Sequence, residues 1–479
     1  MIPRFQTNIM RQVVGRYGCV SAFGTATNTG KIDYGKYLSK RSKLRQPSAI
    51  RALQPLLAIP GMISLGGGMP NKETFPFRRI SCEMLDGTVI DVCTENSLDE
   101  SFQYSATQGI PRLVQQLEVL QKKEHDSDFE NCRLCVTTGS QDALGKAFDM
   151  LLDEDSSLII ESPTYSGSLA YLKPLGCFLK GVVTDEHGMV VDGPGGLSQC
   201  IENWDKENVG KAKPRCIYVI PTGSNPTGAT MSLERKHEIY DIAVKHDLLI
   251  LEDDPYYYMQ FDTNYDDNGS NGRVQSFFSI DNKNKQNGGR VLRFDSFSKL
   301  ISSGIRIGFV TGPTELVERI ELHSQATTLH TSGISQAICA SYFDYLKTCS
   351  TSALPCGLDG EDNLFYNGFL MHVKQICQFY QARRDVFIKS AESHLTGLCE
   401  WNNPSAGMFV WIKVKNCNDT GKLVKEKALD AKVIFVPGES FFADGDTNPS
   451  SFVRAAYSTA SFDDIDEALK RFAALCNSI

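Results

Sequence analysis

Leu248-Leu249-Ile250-Leu251-Glu252-Asp253-Asp254-Pro255-Tyr256 sets the reading of this chain: four large apolar residues run straight into three carboxylates and a proline. A short unbroken apolar run is the pattern of a strand covered on both faces, and a proline cannot continue a central ladder. Similar runs stand at Leu158-Ile159-Ile160, Cys216-Ile217-Tyr218-Val219-Ile220 and Val291-Leu292-Arg293-Phe294, and Leu134-Cys135-Val136 reads as a strand start. Between them lie helical patterns such as Leu233 to His246, where Ile239, Ile242 and Ala243 repeat at helical spacing. This alternation, from about residue 100 to 340, implies an α/β domain built on a mostly parallel sheet. Ligands of such sheets gather outside the carboxyl ends of the strands, so Glu252 to Asp254 mark a candidate site.

The remaining chain reads as a second, smaller unit. A long helix is expected from Val373, then strands at Met408 to Ile412 and Val433 to Val436, which suggest an α+β domain. With 479 residues, 41% of them hydrophobic and 22% charged, the chain is long enough for one large and one smaller core. Asp262 to Gly272 and Asn282 to Gly289 read as surface loops, and Lys347 to Asn367, with Pro355, Gly357 and Gly360, as an insert in a helical region. A net charge of −8 lacks the basic footprint that phosphate-backbone binding requires, so no nucleic-acid partner is expected. No apolar stretch approaches the ~18 residues of a membrane span. The 15 cysteines follow no regular framework, and reduced thiols are the default. Cys132 and Cys135 have C-x-x-C spacing, but no second pair completes a zinc site, and no metal is expected.

The first 32 residues carry Arg4, Arg11, Arg16 and Lys31 and no acidic residue, with Ile9, Met10, Val13, Val14 and Tyr17 on one helical face. That composition suits a mitochondrial transit segment and a matrix location; a disordered or strand-swapping arm, with a cytoplasmic protein, is the alternative. The basic stretch from Lys36 to Arg51 reads as an arm lying across another surface.

Chemistry concentrates in Asp295-Ser296-Phe297-Ser298-Lys299, followed by Arg306. Hydroxyls and a guanidinium take a phosphate and the lysine amine takes a carbonyl, so the segment could hold a phosphorylated aldehyde. A carboxylate among Glu252, Asp253 and Asp254, at a strand end, could pair with a cationic ring nitrogen. Pro221-Thr222-Gly223-Ser224-Asn225-Pro226-Thr227-Gly228 is a turn that could aim the Asn225 amide. Thr138-Gly139-Ser140-Gln141 opens a helix after a strand, a natural phosphate cradle. Each segment alone also fits something plainer: a solvated lysine, a strand-to-helix turn, a helix cap.

Taken together with Ser64-Leu65-Gly66-Gly67-Gly68-Met69-Pro70-Asn71, Gln103-Tyr104-Ser105, Gly109-Ile110-Pro111, Glu161-Ser162-Pro163-Thr164-Tyr165-Ser166-Gly167 and Glu252 to Tyr257, these segments resemble class I aminotransferases of pyridoxal-phosphate fold type I. Within them the kynurenine/2-aminoadipate and fungal aromatic aminotransferases are most similar, from about Gln46 to the C-terminus.

The resemblance implies a large domain over 81–345 with a mostly parallel seven-stranded sheet and a smaller α+β domain over 346–479. The transit segment would take 1–32, and an arm with part of the small domain 33–80. It implies pyridoxal 5'-phosphate as cofactor, bound to Lys299, with Asp253 on the pyridine nitrogen and Tyr256 and Asn225 on the ring 3-oxygen. Tyr165 would stack on the ring, and Ser140, Gln141, Ser296, Ser298 and Arg306 would hold the phosphate. Tyr104 would reach that phosphate from the neighbouring subunit of a homodimer. Arg454 would bind the substrate α-carboxylate; Arg51, Gly68 and Asn225 complete the implied substrate contacts. Lys299, Asp253 and Tyr256 are the implied catalytic set.

The implied reaction is ping-pong transamination of 2-aminoadipate, kynurenine or aromatic amino acids with an acceptor such as 2-oxoglutarate. Gly223-Ser224 before Asn225, and Ala106-Thr107-Gln108, depart from the family pattern and bear on substrate fit. Two alternatives are β-elimination from cysteine conjugates on the same cofactor, and a ligand-sensing regulator, for whose DNA-binding domain the leader is too short.

Overall fold

The computed structural model describes residues 32–47, 59–63, 65–66, 68–94, 97–261, 272–284, 286–349, 360–445 and 448–478. The leader up to Lys31, Arg51, nearly all of the 262–272 loop and residues 350–359 of the insert lie outside them.

A hairpin, β1 (Ile80–Glu83) and β2 (Val89–Cys93), precedes the main sheet. The main sheet consists of β3 (Cys132–Thr137), β4 (Ser157–Ser162), β5 (Phe178–Asp185), β6 (Gly188–Met189), β7 (Cys216–Val219), β8 (Leu249–Asp253), β9 (Val291–Ser296) and β10 (Gly308–Pro313), in the order β3-β10-β9-β8-β7-β4-β5-β6. The β8–β9, β7–β8, β4–β7 and β4–β5 pairs are parallel; β10 runs antiparallel to both its neighbours. Eight strands replace the expected seven. The extra one, β6, is a two-residue return that pairs antiparallel with the end of β5.

The helices that cover this sheet are α1 (Pro111–His125), α2 (Ser140–Leu151), α3 (Ser166–Leu175), α4 (Leu233–Lys245), α5 (Phe277–Lys283), α6 (Thr314–Thr327) and α7 (Gly333–Cys349). Strand alternation divides the apolar residues between two cores. Leu158, Ile160, Tyr218, Leu249 and Leu251 pack on one face, and Ile159, Ile217, Val219 and Ile250 on the other. Each fully buried Leu or Ile contributes about 1.5–3 kcal/mol. Serines start two of the helices: Ser232 accepts from the Arg235 amide at 3.2 Å and Ser276 from the Ser279 amide at 2.9 Å. Helix α5 is also held by Glu252, whose carboxylate accepts from the Phe277 and Phe278 amides at 2.7 and 3.1 Å.

Beyond α8 (Glu361–Leu395) a second, antiparallel sheet forms from β11 (Cys399–Trp401), β12 (Phe409–Val414), β13 (Val436–Pro437) and β14 (Phe452–Ala456), in the order β11-β12-β14-β13. Helix α9 (Phe462–Cys476) packs on α8. The strand expected at Val433 to Val436 is confined to Val436–Pro437. Phe435 turns instead onto Phe472 of α9, with ring centroids 4.3 Å apart, while Ile434 is exposed. The insert is shorter than expected, because α7 runs on to Cys349 and α8 begins at Glu361. Likewise Asn282 and Lys283 finish α5 and are not part of a loop.

Residues 34–44 dock on their own chain. Tyr37 is buried and donates to Asp247 at 2.7 Å, the Ser39 amide donates to the Met150 carbonyl at 2.7 Å, and Ser39 caps the short helix Lys40–Leu44.

Candidate active site

Strands β3, β4, β7, β8 and β9 all end on one edge of the sheet, and β10 begins there. The residues just past those ends therefore converge. After β3, Gly139 has φ +82°, and a Cβ on it would stand 2.5 Å from an Arg306 guanidinium nitrogen. Arg306 itself has φ +54°. Its guanidinium donates to Ser298 Oγ at 3.3 Å and to the carbonyls of Ser303 and Thr138 at 3.2 and 3.3 Å. With Ser296, Ser140 and the N-terminus of α2 close by, this corner is a cationic, donor-rich cradle for an anion.

Asp253 closes β8 in full burial. One carboxylate oxygen, Oδ2, accepts from the Tyr218 hydroxyl at 2.7 Å; the other, Oδ1, has no partner among the described residues. Burial pushes the carboxyl up to about 7; the Tyr218 bond and Lys299 pull it down, and Asp254 and Asp295 push it up. Burial also lowers the Lys299 ammonium, with Asp253 opposing and Arg306 assisting. A lysine so placed gives up its proton readily, as a nucleophile or proton carrier must. Its Nζ lies 5.9 Å from the Tyr256 ring centroid.

Across the cavity, Arg454 on β14 donates to Asn225 Oδ1 at 2.9 Å, which leaves the Asn225 NH2 free to donate. The Arg454 guanidinium lies over the rings of Phe409 and Phe441, 4.5 and 5.1 Å from their centroids. The two sheets approach closely here. A Cβ on Gly223 would stand 2.8 Å from the Gly407 backbone, and one on Gly228 2.5 Å from the Phe409 carbonyl. Glycine at both positions lets the Asn225 turn meet the start of β12.

One cavity of about 510 Å³ is lined by Ser140, Gln141, Tyr165, Asn225, Asp253, Tyr256, Ser296, Ser298, Lys299, Arg306 and Arg454, together with Ser166, Ile220, Pro255, Met408 and Phe409. Tyr104 and Gly68 are exposed and do not line it; Arg51 lies outside the described residues. Sequence reasoning missed Phe409 and Phe441, which seat Arg454. The signal was present in Ala406-Gly407-Met408-Phe409, a glycine opening a strand, but nothing in the pattern says that this strand faces the Asn225 turn.

The family model for aminotransferase class I and II matches residues 81–472. The chain belongs to this family. It is 38% identical over 456 residues to the mitochondrial kynurenine/alpha-aminoadipate aminotransferase of Bos taurus, covering 93% of this chain and 99% of that protein. It is 30% identical to the aromatic amino acid aminotransferase C56E4.03 of Schizosaccharomyces pombe, covering 92% and 97%. Among solved structures, the aminotransferase Aro9 of Candida albicans with ligands superposes with a TM-score of 0.79 at 27% identity, covering 93% and 98%.

Class I and II aminotransferases work with pyridoxal 5'-phosphate, and the residues of this cavity fit it. The unpartnered, buried Asp253 Oδ1 is an acceptor awaiting a donor, as a protonated pyridine nitrogen would be. The Arg306 corner suits the phosphate, and the Lys299 amine suits the aldehyde. This chain is an aminotransferase.

Proposed function

We propose that this aminotransferase takes 2-aminoadipate, kynurenine or aromatic amino acids as donors and a 2-oxo acid such as 2-oxoglutarate as acceptor, in a ping-pong cycle. The observation that carries the reading is the sharing of one cavity by a lysine of lowered basicity, a carboxylate with an unpartnered oxygen and a seated arginine.

Pyridoxal phosphate supplies an electron sink for the substrate's α-carbon. Asp253 would keep a positive charge on the ring nitrogen, which would make that sink effective. The Asn225 amide and the Tyr256 hydroxyl would donate to the cofactor's ring 3-oxygen, and Tyr165 would pack against its ring. Arg306, Ser140, Gln141, Ser296 and Ser298 would hold the phosphate. Arg454 takes the substrate α-carboxylate through two parallel N–H donors, which a lysine could not match. Lys299, with its amine free, would move the substrate's α-proton as base and then as acid. Arg51 would contact the donor side chain, and Gly68 would be a further substrate contact.

The test is a donor panel with 2-oxoglutarate, read as the 2-oxo acid formed from each donor. If 2-aminoadipate, kynurenine and the aromatic amino acids all fail, the substrate assignment is wrong. Cysteine-conjugate β-elimination is not favoured, since the relatives above are named as aminotransferases; it would proceed without any acceptor.

A homodimer with Tyr104 reaching the partner's phosphate cradle completes the reading. Ile63 and Leu65, 88% and 98% exposed, lie with exposed Met69, Phe77 and Tyr104 on the segment before α1 and support a partner surface there. The composition of the leader and the mitochondrial relatives support a mitochondrial location. No described helix is long and apolar enough to cross a membrane.

A further inference from the structure

We infer that Tyr218, itself held by Ser168, is a positioning residue that fixes one oxygen of Asp253 so that the other meets the cofactor's ring nitrogen as an ionised acceptor. The inference rests on the cofactor reading of Asp253 and adds two residues that lie behind it.

The chain of contacts runs from helix to strand to site. Ser168 Oγ on α3 donates to the Tyr218 hydroxyl at 2.9 Å, and that hydroxyl donates to Asp253 Oδ2 at 2.7 Å. All three residues are buried. A phenol has one hydrogen, so a hydroxyl that receives from Ser168 must spend its proton on Asp253. The Phe148 ring of α2 meets the Tyr218 ring edge-on, with centroids 5.7 Å apart, and limits its swing. Helix α2 therefore presents Ser140 to the phosphate corner at its N-terminus and steadies Tyr218 from its interior.

Electrostatics give the contact its purpose. Asp253 faces Asp254, Asp295, Glu161, Lys299, Tyr256 and Tyr165 as well as Tyr218, and Tyr218 also faces Glu161. Burial and the neighbouring carboxylates favour a neutral Asp253, which could not hold a proton on a pyridine nitrogen. Tyr218 and Lys299 are the groups that work against this. Burial raises the Tyr218 hydroxyl well above its ordinary range, so it stays a donor throughout the working pH range. Of the two, only Tyr218 makes a hydrogen bond to Asp253, and Lys299 is committed to chemistry.

Tyr218→Phe tests the idea, because it keeps the ring and its packing and deletes only the hydroxyl. Loss of one hydrogen bond to a charged group predicts that the dissociation constant for pyridoxal phosphate rises on the order of tenfold. A less ionised Asp253 leaves less positive charge on the ring. The pH midpoint of the lysine-linked cofactor's absorbance should therefore move upward, and kcat should fall with donor KM little changed. Ser168→Ala should move the same midpoint in the same direction by less, and it serves if the tyrosine variant does not fold. A loaded Tyr218→Phe, or failing that Ser168→Ala, with the wild-type absorbance midpoint and cofactor affinity overturns the inference, whatever its melting temperature. Failure of the underlying reading would look different: the unmodified protein would lack any cofactor absorbance that Lys299→Ala abolishes.

Discussion

Gly139 and Glu161 carry consequences at the scale of single residues. A methyl group on Gly139 would press on the Arg306 guanidinium from 2.5 Å, at a backbone angle that L side chains avoid. Gly139→Ala should combine a backbone strain of about 1–3 kcal/mol with a displaced phosphate anchor. The expected result is weaker binding of pyridoxal phosphate, by roughly tenfold or more, measured by titrating the apoprotein; unchanged affinity would mean that Arg306 does not hold the phosphate. Glu161 is buried, with Oε2 accepting from the Ile220 amide at 2.8 Å and Oε1 without a partner among the described residues. Burial pushes its carboxyl from the ordinary 4.5 up to about 8, with backbone donors at Ile220 and Met189 pulling the other way. A carboxyl raised in the folded state binds more protons there than in the unfolded chain. Its contribution is therefore full below 4.5 and is lost as pH rises through about 8. Thermal melts of the apoprotein between pH 5 and 8, chosen to span that window, should show a decline that Glu161→Gln flattens. A decline equal in both proteins would refute the assignment.

At the scale of elements, the central strands were legible because a short unbroken apolar run buries all its side chains only when both faces are covered, and β4, β7, β8 and β9 form where those runs stand. Elements whose existence depends on a neighbour were not. The return strand β6 is two residues long, and Phe435 leaves its ladder for Phe472 because burying an aromatic pair outweighs a few edge hydrogen bonds. The N-terminal segment shows the same dependence. Its basic composition suggested an arm lying across another surface, but not which one; Asp247 of its own chain binds it, as Lys36, Tyr37 and Arg290 all converge on that carboxylate. Burial alone would raise Asp247, but these three donors outweigh it and hold the group at about 2. A depressed carboxyl stabilises the fold above its ordinary 3.8, and the benefit disappears as pH falls through about 2. Asp247→Asn should lower the melting temperature by roughly a few degrees and speed amide hydrogen exchange over residues 34–45. Unaltered exchange there would show that other contacts hold the segment.

For the whole molecule, the expectation is assembly. Ile63, Leu65, Met69 and Phe77 are exposed on the segment before α1, and a partner there would cover them. Sedimentation should give twice the chain mass, and Leu65→Asp should shift the protein toward monomer and cost activity if Tyr104 serves the partner's site. A monomeric, fully active wild type would remove both claims. The sequence by itself determined the layered α/β plan, since apolar periodicity is a local signal; its strand-end motifs singled out the neighbourhoods of Lys299, Asn225 and Arg306, while Asp253 and Arg454 were singled out only through the family resemblance. Tertiary structure alone decided that Phe409 and Phe441 seat Arg454, that Gly139 makes room for Arg306, and that Tyr218 spends its hydroxyl on Asp253. In the sequence Tyr218 is one apolar position in a strand. Its partner is 35 residues away, and only the parallel pairing of β7 with β8 brings the two hydrogen-bonding groups together.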